Sequence, residues 1–223
     1  MPIDNQAEIE ITSFAWVPEF ARGFVRDLRP RWACEEAGLS YRQRLIGFET
    51  AKSEDYRREQ PFGQVPAYRD NEVQMFESGA TVFRIGQRSE RLMPRDPAGQ
   101  ARVLTWVTAA LNSVEPFVFD LVNIDLFNKG EAWTVERRPQ VIDTLRGRLT
   151  ALSDWLGDKD YLEGEFTAAD IIMGTVLREI DDKDLMAEFP ALVAYRDRCV
   201  ARPAFQRAIQ AQLESFAAEP VAA

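Results

Sequence analysis

The stretch Gln60–Ser89, QPFGQVPAYRDNEVQMFESGATVFRIGQRS, limits the possible folds more than any other part of the chain. Pro61 and Gly63 interrupt whatever precedes them. Val65-Pro66-Ala67-Tyr68 reads as a short extended run, and Asp70-Asn71 as a turn pair. Val73 to Phe76 alternates apolar and polar residues, as a hairpin return strand does. Glu77-Ser78 then opens a helix that carries Val82, Phe83 and Ile85. Two details bear on chemistry. Val65-Pro66, entering a strand, is a candidate cis peptide. A Glu-Ser pair at a helix start offers an anion site, because free N–H groups and the helix dipole point outward there. An ordinary β-hairpin packed on a helix would show the same local pattern.

The preceding residues supply partners for that hairpin. Ile9 to Trp16 reads as a strand, ended by Val17-Pro18, with Glu19 to Gly23 as a loop. Phe24 to Leu39 carries a helical stripe of Val25, Leu28, Trp32, Cys34 and Ala37, closed by Gly38. Pro30 requires either a kink or a regular helix that begins near it. Tyr41 to Phe48 reads as a second strand. Glu49 to Glu59 is polar and is expected to be a loop with a short irregular helix.

Beyond Leu92-Met93-Pro94 the patterns are helical. Ala98 to about Phe127 is apolar at helical spacing, and Pro116 should kink or divide it. Val135 to Leu156 repeats Val141, Leu145, Leu149, Leu152 and Leu156 along one face. Ala168 to Ile180 is apolar almost all round and should be a central buried helix. Leu192 to Cys199 and Pro203 to Phe216 read as two more, and Ala217 to Ala223 is expected to fray. Thr167 and Asp170, flanked by Phe166 and Ile171, form a capping box with a hydrophobic staple. That signature serves folding.

Charge and composition exclude several classes. The 223 residues carry a net charge of −9, which argues against nucleic acid as a partner. No run approaches the roughly 20 apolar residues of a membrane span, and no secretory signal is visible. Two cysteines, Cys34 and Cys199, give no disulfide framework and suit a reducing cytoplasm. The chain has no histidine. That removes Ser-His-Asp and Cys-His catalysis and the usual zinc sites. Chemistry must rest on carboxylates, hydroxyls, arginines, lysines, an indole, or a thiol that a ligand brings.

The motifs together resemble the soluble glutathione transferases. In that family a cis Val-Pro precedes the third strand and a Glu/Gln-Ser pair opens the following helix, here Val65-Pro66 and Glu77-Ser78. Glu35-Glu36-Ala37-Gly38-Leu39, the Thr167–Asp170 box and Arg202-Pro203-Ala204 match further family positions in order, so the likeness runs from Ile9 to about Ala211. The implied fold is an α/β thioredoxin-like N-terminal domain (βαβαββα) followed by an all-α C-terminal domain. The boundaries expected are 1–90 for the first domain, 91–97 for a linker and 98–223 for the helical part. The implied ligand is glutathione as co-substrate, with no further cofactor. Its peptide would pair with the Val65 main chain like an added strand. Ser78 would take the γ-glutamyl carboxylate, Glu77 the amino group, Gln64 a nearby polar group and Lys52 the glycyl carboxylate. Arg57 and Arg58 compete with Lys52.

The family activates the ligand's thiol with a tyrosine, serine or cysteine after the first strand. Here Trp16 stands in the tyrosine position, and Val17, Glu19, Phe20 and Ala21 fill the rest. The candidate substitutes are the indole N–H of Trp16 and the positive charge of Arg22. Each also fits a bland role, Trp16 as packing and Arg22 as a surface arginine. Thr12 and Ser13 would serve only if the alignment slipped. A small hydrophobic electrophile would meet aromatic surface from Trp106 and Phe117, with Phe119 nearby in sequence. The resemblance further implies a homodimer and conjugation of glutathione to that electrophile. The alternatives are a glutathione-binding or protein-interaction module with little catalysis, or a glutathione-dependent isomerase or reductase.

Overall fold

The computed structural model describes residues 3–180 and 182–219. Their first part is a mixed sheet of four strands: β1 (Ile9–Phe14), β2 (Tyr41–Ile46), β3 (Ala67–Arg69) and β4 (Gln74–Phe76), in the order β2-β1-β3-β4. β2 runs parallel to β1, with Ile9 opposite Tyr41 and Phe14 opposite Ile46. β3 is antiparallel to β1 and to β4, with Tyr68 opposite both Ile11 and Met75. The period of two splits the side chains between faces. Ile46, Val65 and Ala67 pack with Ala51 and Tyr56, which lie on two short helices, α2 (Phe48–Lys52) and α3 (Glu54–Arg57). Ser13 and Tyr41 meet the other side's helix α1 (Leu28–Ala37) through Arg31.

α1 begins later than the apolar stripe suggested. A proline ring clashes with the carbonyl four residues back, so regular helix cannot run through Arg26. Pro30 instead occupies the first turn, where its missing N–H has no intrahelical acceptor to serve. Phe24–Asp27 is a series of turns, entered through Gly23 at φ 81°. Gly38, at φ 68°, closes the helix. Helix α4 (Ser78–Gly86) follows β4 and packs beside α1.

The first compact unit ends at Leu92 and takes the chain back at Arg202; the second runs Met93–Ala201. The last helix, α11 (Pro203–Ser215), thus clusters with the first unit. α11 lies on α1. The Trp32 and Phe205 rings meet edge to face at 4.9 Å, Arg202 clasps Glu36, and Arg207 reaches Glu35 at 2.6 Å. Both carboxylates are buried while the arginines reach toward solvent, so the desolvation of Glu35 and Glu36 offsets much of what these pairs gain. Burial of Trp32 and Phe205 at roughly 25 cal/mol per Å² carries more of the docking.

In the second unit Asp96 caps α5 (Pro97–Ala109) by accepting from the Gly99 N–H at 2.7 Å. A π-helical turn, Ala110–Val114, joins it to α6 (Glu115–Val122). This is the division expected at Pro116, made by widening the helix. A second π-helical turn, Asn123–Phe127, precedes α7 (Ala132–Leu156), which keeps Pro139 inside it. α8 (Ala168–Arg178) is buried from Ala168 to Leu177, as its all-round apolar sequence requires. The short α9 (Lys183–Ala187) and α10 (Pro190–Val200) complete the unit. Both halves of the Thr167–Asp170 capping box are formed. No helix among the described residues is long and apolar enough to cross a membrane.

Candidate functional site

The turn before β3 is held by side chains. The Gln60 amide oxygen accepts from the N–H groups of Phe62 and Gln64, at 2.8 and 3.2 Å. Gly63 adopts φ 64°, and a Cβ there would stand 2.8 Å from the Ala51 carbonyl oxygen, so only glycine fits without a shift. Tyr56 donates its hydroxyl to the Gln64 carbonyl at 2.7 Å. Burial pushes that hydroxyl up to about 12, so it stays a donor at neutral pH. The Val65–Pro66 bond that follows is cis. The Val65 side chain is in the core, while among the described residues no hydrogen bond engages its main chain. Gln64 is exposed beside it.

The turn before α4 is strained. Glu77 has φ 70° and ψ 116°, a region that costs a non-glycine residue roughly 1–3 kcal/mol. Its carbonyl accepts from both the N–H and the hydroxyl of Thr81, at 2.9 Å each. The exposed carboxylate has no partner among the described residues. Ser78, Gly79 and Ala80 present the unpaired N–H groups of a helix start. The buried Ser78 Oγ accepts from Arg29 Nη1 at 3.1 Å. Its own hydroxyl proton is left to donate. Arg29 is buried in α1 and places a positive charge behind the helix start.

The loop after β1 contains no tyrosine, serine or cysteine from Ala15 to Asp27. Trp16 is half-buried, with its ring edge-on to Phe48 at 6.1 Å, and Phe48 in turn meets Phe14. Arg22 donates to the Ala217 carbonyl at 3.3 Å and lies 3.6 Å from the Glu19 carboxylate. Ser13 is fully buried within β1 and accepts from Arg31 at 2.9 Å. Arg31 also pairs with Asp27 at 2.7 Å.

The remaining expected residues each contact a neighbour within their own unit. Lys52 is exposed at the end of α2 and pairs with Glu49 at 2.8 Å, and Arg58 pairs with Asp55. Trp106, in the second unit, meets Trp155 with ring centres 5.2 Å apart and planes tilted by 45°. Phe117, in the same unit, lies under Arg148. Thr167 and Asp170 are buried structural groups, and Asp170 also accepts from Tyr195. Sequence reasoning missed Arg29, Gln60 and Tyr56. Gln60 was visible as a polar residue at the turn's edge; the 49-residue separation between Arg29 and Ser78 left no local signal.

The free Val65 main chain and the cationic start of α4 suit an extended peptide that carries a carboxylate. Residues 21–86 match the family "Glutathione S-transferase, N-terminal domain". The chain is 27% identical over 181 residues to a glutathione S-transferase of Hyoscyamus muticus, covering 71% of this chain and 80% of the relative. It is 28% identical over 192 residues to glutathione S-transferase 1 of Zea mays, covering 78% and 86%. Among solved structures it superposes on a glutathione transferase family member from Pseudomonas fluorescens with two glutathione bound, at TM-score 0.76 and 21% identity over 91% of this chain and 92% of that one. Poplar glutathione transferase F1 gives TM-score 0.77 at 20% identity, covering 92% and 98%. At such identities these two structures speak for the fold alone. The matched domain and the relatives point the same way: residues 21–86 carry a glutathione S-transferase N-terminal domain, and most of the chain is similar to glutathione S-transferases.

Proposed function

We propose that this protein binds glutathione and conjugates its thiol to a small hydrophobic electrophile. The observation that carries the reading is the unpaired main chain of Val65 in the same small domain as the Glu77-Ser78 helix start. The ligand's peptide pairs with Val65 as an added strand. Its γ-glutamyl carboxylate accepts from the Ser78 hydroxyl and the first N–H groups of α4, with Arg29 behind. The Glu77 carboxylate takes the amino group, and Gln64 and Lys52 serve the cysteinyl and glycyl end. The sulfur faces the loop after β1, where Arg22 supplies positive charge and Trp16 an indole donor. Trp106 and Phe117 are the aromatic residues offered to the electrophile. Glutathione is the co-substrate and no other cofactor is needed. The reading carries a homodimer and a reducing, cytoplasmic setting, in keeping with two buried free cysteines.

Calorimetry with glutathione and a screen of several electrophiles test it. Saturable binding with turnover is the expected result. No binding at millimolar glutathione would overturn it. A second reading, a glutathione-binding module with little catalysis, is favoured by the absence of tyrosine, serine and cysteine from Ala15 to Asp27. Binding without turnover would select it. Sedimentation analysis checks the dimer.

A further inference from the structure

The loop from Ala15 to Asp27 owes its shape to the far end of the chain. β1 stops at Phe14, but the Ala15 N–H still donates to the Ile46 carbonyl at 2.9 Å. On the same residue the carbonyl accepts from the Ala217 N–H at 2.7 Å. Ala217 returns a second contact: its own carbonyl accepts from Arg22 Nη2 at 3.3 Å, and the Phe216 ring lies 5.9 Å from the Arg22 guanidinium carbon. Two residues of α11 hold the loop's second half. Gln212 Nε2 donates to the Val25 carbonyl and to Asp27, at 3.0 and 2.7 Å. Ile209 would stand 3.5 Å from a Cβ placed on Gly23. The loop's own main-chain bonds are short-range turns, such as Ala21 to Pro18 and Phe24 to Ala21. Such turns do not fix where a loop lies relative to a sheet.

We propose that Phe216–Ala217 is a strap whose main chain pins the loop between β1 and α1, so that Ala217 is a positioning residue for the thiol end of the site. The first half of the claim stands on the contacts; the second rests on the function proposed above. Pinning matters because Arg22 has a long flexible side chain. A charge fixed at one place acts on a neighbouring thiol far more than one that samples solvent.

Two variants test this, and both leave α11 whole. One is Ala217→Pro, which deletes the N–H that reaches Ala15. The other is the chain ended at Ser215. Hydrogen exchange is measured over residues 15–27, with α8 as internal reference. Loop exchange is expected to rise by roughly tenfold or more in both variants while α8 is unmoved. Thiolate absorbance of bound glutathione is then titrated. The thiolate fraction at neutral pH should fall several-fold, with the glutathione Kd changing by less than about threefold. Unchanged loop exchange would overturn the strap. Faster exchange with an unmoved thiol titration would overturn the positioning role and leave a purely structural tail. If the parent protein binds no glutathione, the function proposal falls, and the exchange data alone decide the strap.

Discussion

Arg29 Nη1 donates to Ser78 Oγ at 3.1 Å, joining the first helix to the start of the fourth with both side chains buried. A hydrogen bond from a charged donor contributes more than a neutral one. Ser78→Ala should therefore weaken glutathione binding about 5- to 30-fold, on the order of 1–2 kcal/mol. It should also lower the urea midpoint. Arg29→Met should weaken binding as well, although Arg29 lies behind the helix start. In the double variant the two losses should fall short of their sum. Calorimetry on the four proteins checks this, and full additivity would separate Arg29 from the site.

The turn joining β3 to β4 predicts an acid-sensitive stability. Burial raises the Asp70 carboxyl, but this is overcome by the N–H groups of Glu72 and Val73, the Tyr68 hydroxyl and Arg84, which bring it down to about 2. Its ionised form is thus favoured by folding. That stability is fully present above the unfolded value near 3.9 and is lost as pH falls through about 2. The parent protein should exceed Asp70→Asn by on the order of 1–2 kcal/mol at pH 6, after allowance for screening. The gap should close between pH 4 and pH 2. Urea unfolding across that range measures it.

In the second unit, the Asp170 side chain accepts from the N–H groups of Leu162 and Thr167, from the Thr167 hydroxyl, and from Tyr195 at 2.8 Å. Tyr195→Phe removes one donor to a buried carboxylate and should cost about 1–3 kcal/mol. Asp170→Ala, which strips several donors at once, should cost about 3–5 kcal/mol. Glutathione binding should stay within about twofold for any variant that folds. Denaturant unfolding, paired with calorimetry, separates the two effects.

Both cysteines are buried, and burial pushes the Cys34 thiol far above its usual range. A thiol held in its protonated form is a poor nucleophile. A disulfide reagent should find no fast thiol in the native protein and two after unfolding. A fast-reacting native thiol would reopen a reductase-type reading.

The strand-turn-strand-helix stretch from Gln60 was legible because each signal sits within a few residues of its partner. Val65-Pro66, Glu77-Ser78 and the Thr167–Asp170 box are short-range patterns. The late start of α1 was half legible: Pro30 announced it, yet the apolar stripe from Phe24 pointed the other way. Arg29 was not legible, because its partner is 49 residues away and a buried arginine resembles a surface one in sequence. The same holds for Gln212, whose partner Asp27 lies 185 residues back. Ala217 was placed in a stretch expected to fray for want of periodicity, yet it is tied at both its N–H and its carbonyl. Main-chain pairing of that kind asks nothing of the side chain. Residues 220–223 of that stretch lie outside the described residues.

The return of α11 to α1 also sets an order of events at the ribosome. The helix that seals Trp32 is synthesised after the whole of Met93–Ala201. Until it emerges, the nascent sheet and α1 carry an uncovered indole and two carboxylates, Glu35 and Glu36, without their arginines. Domains generally complete in the order in which they leave the ribosome. Here the first unit to begin has to wait for the last helix. A stalled chain that ends before Pro203 should therefore present an apolar strip that a chaperone can hold.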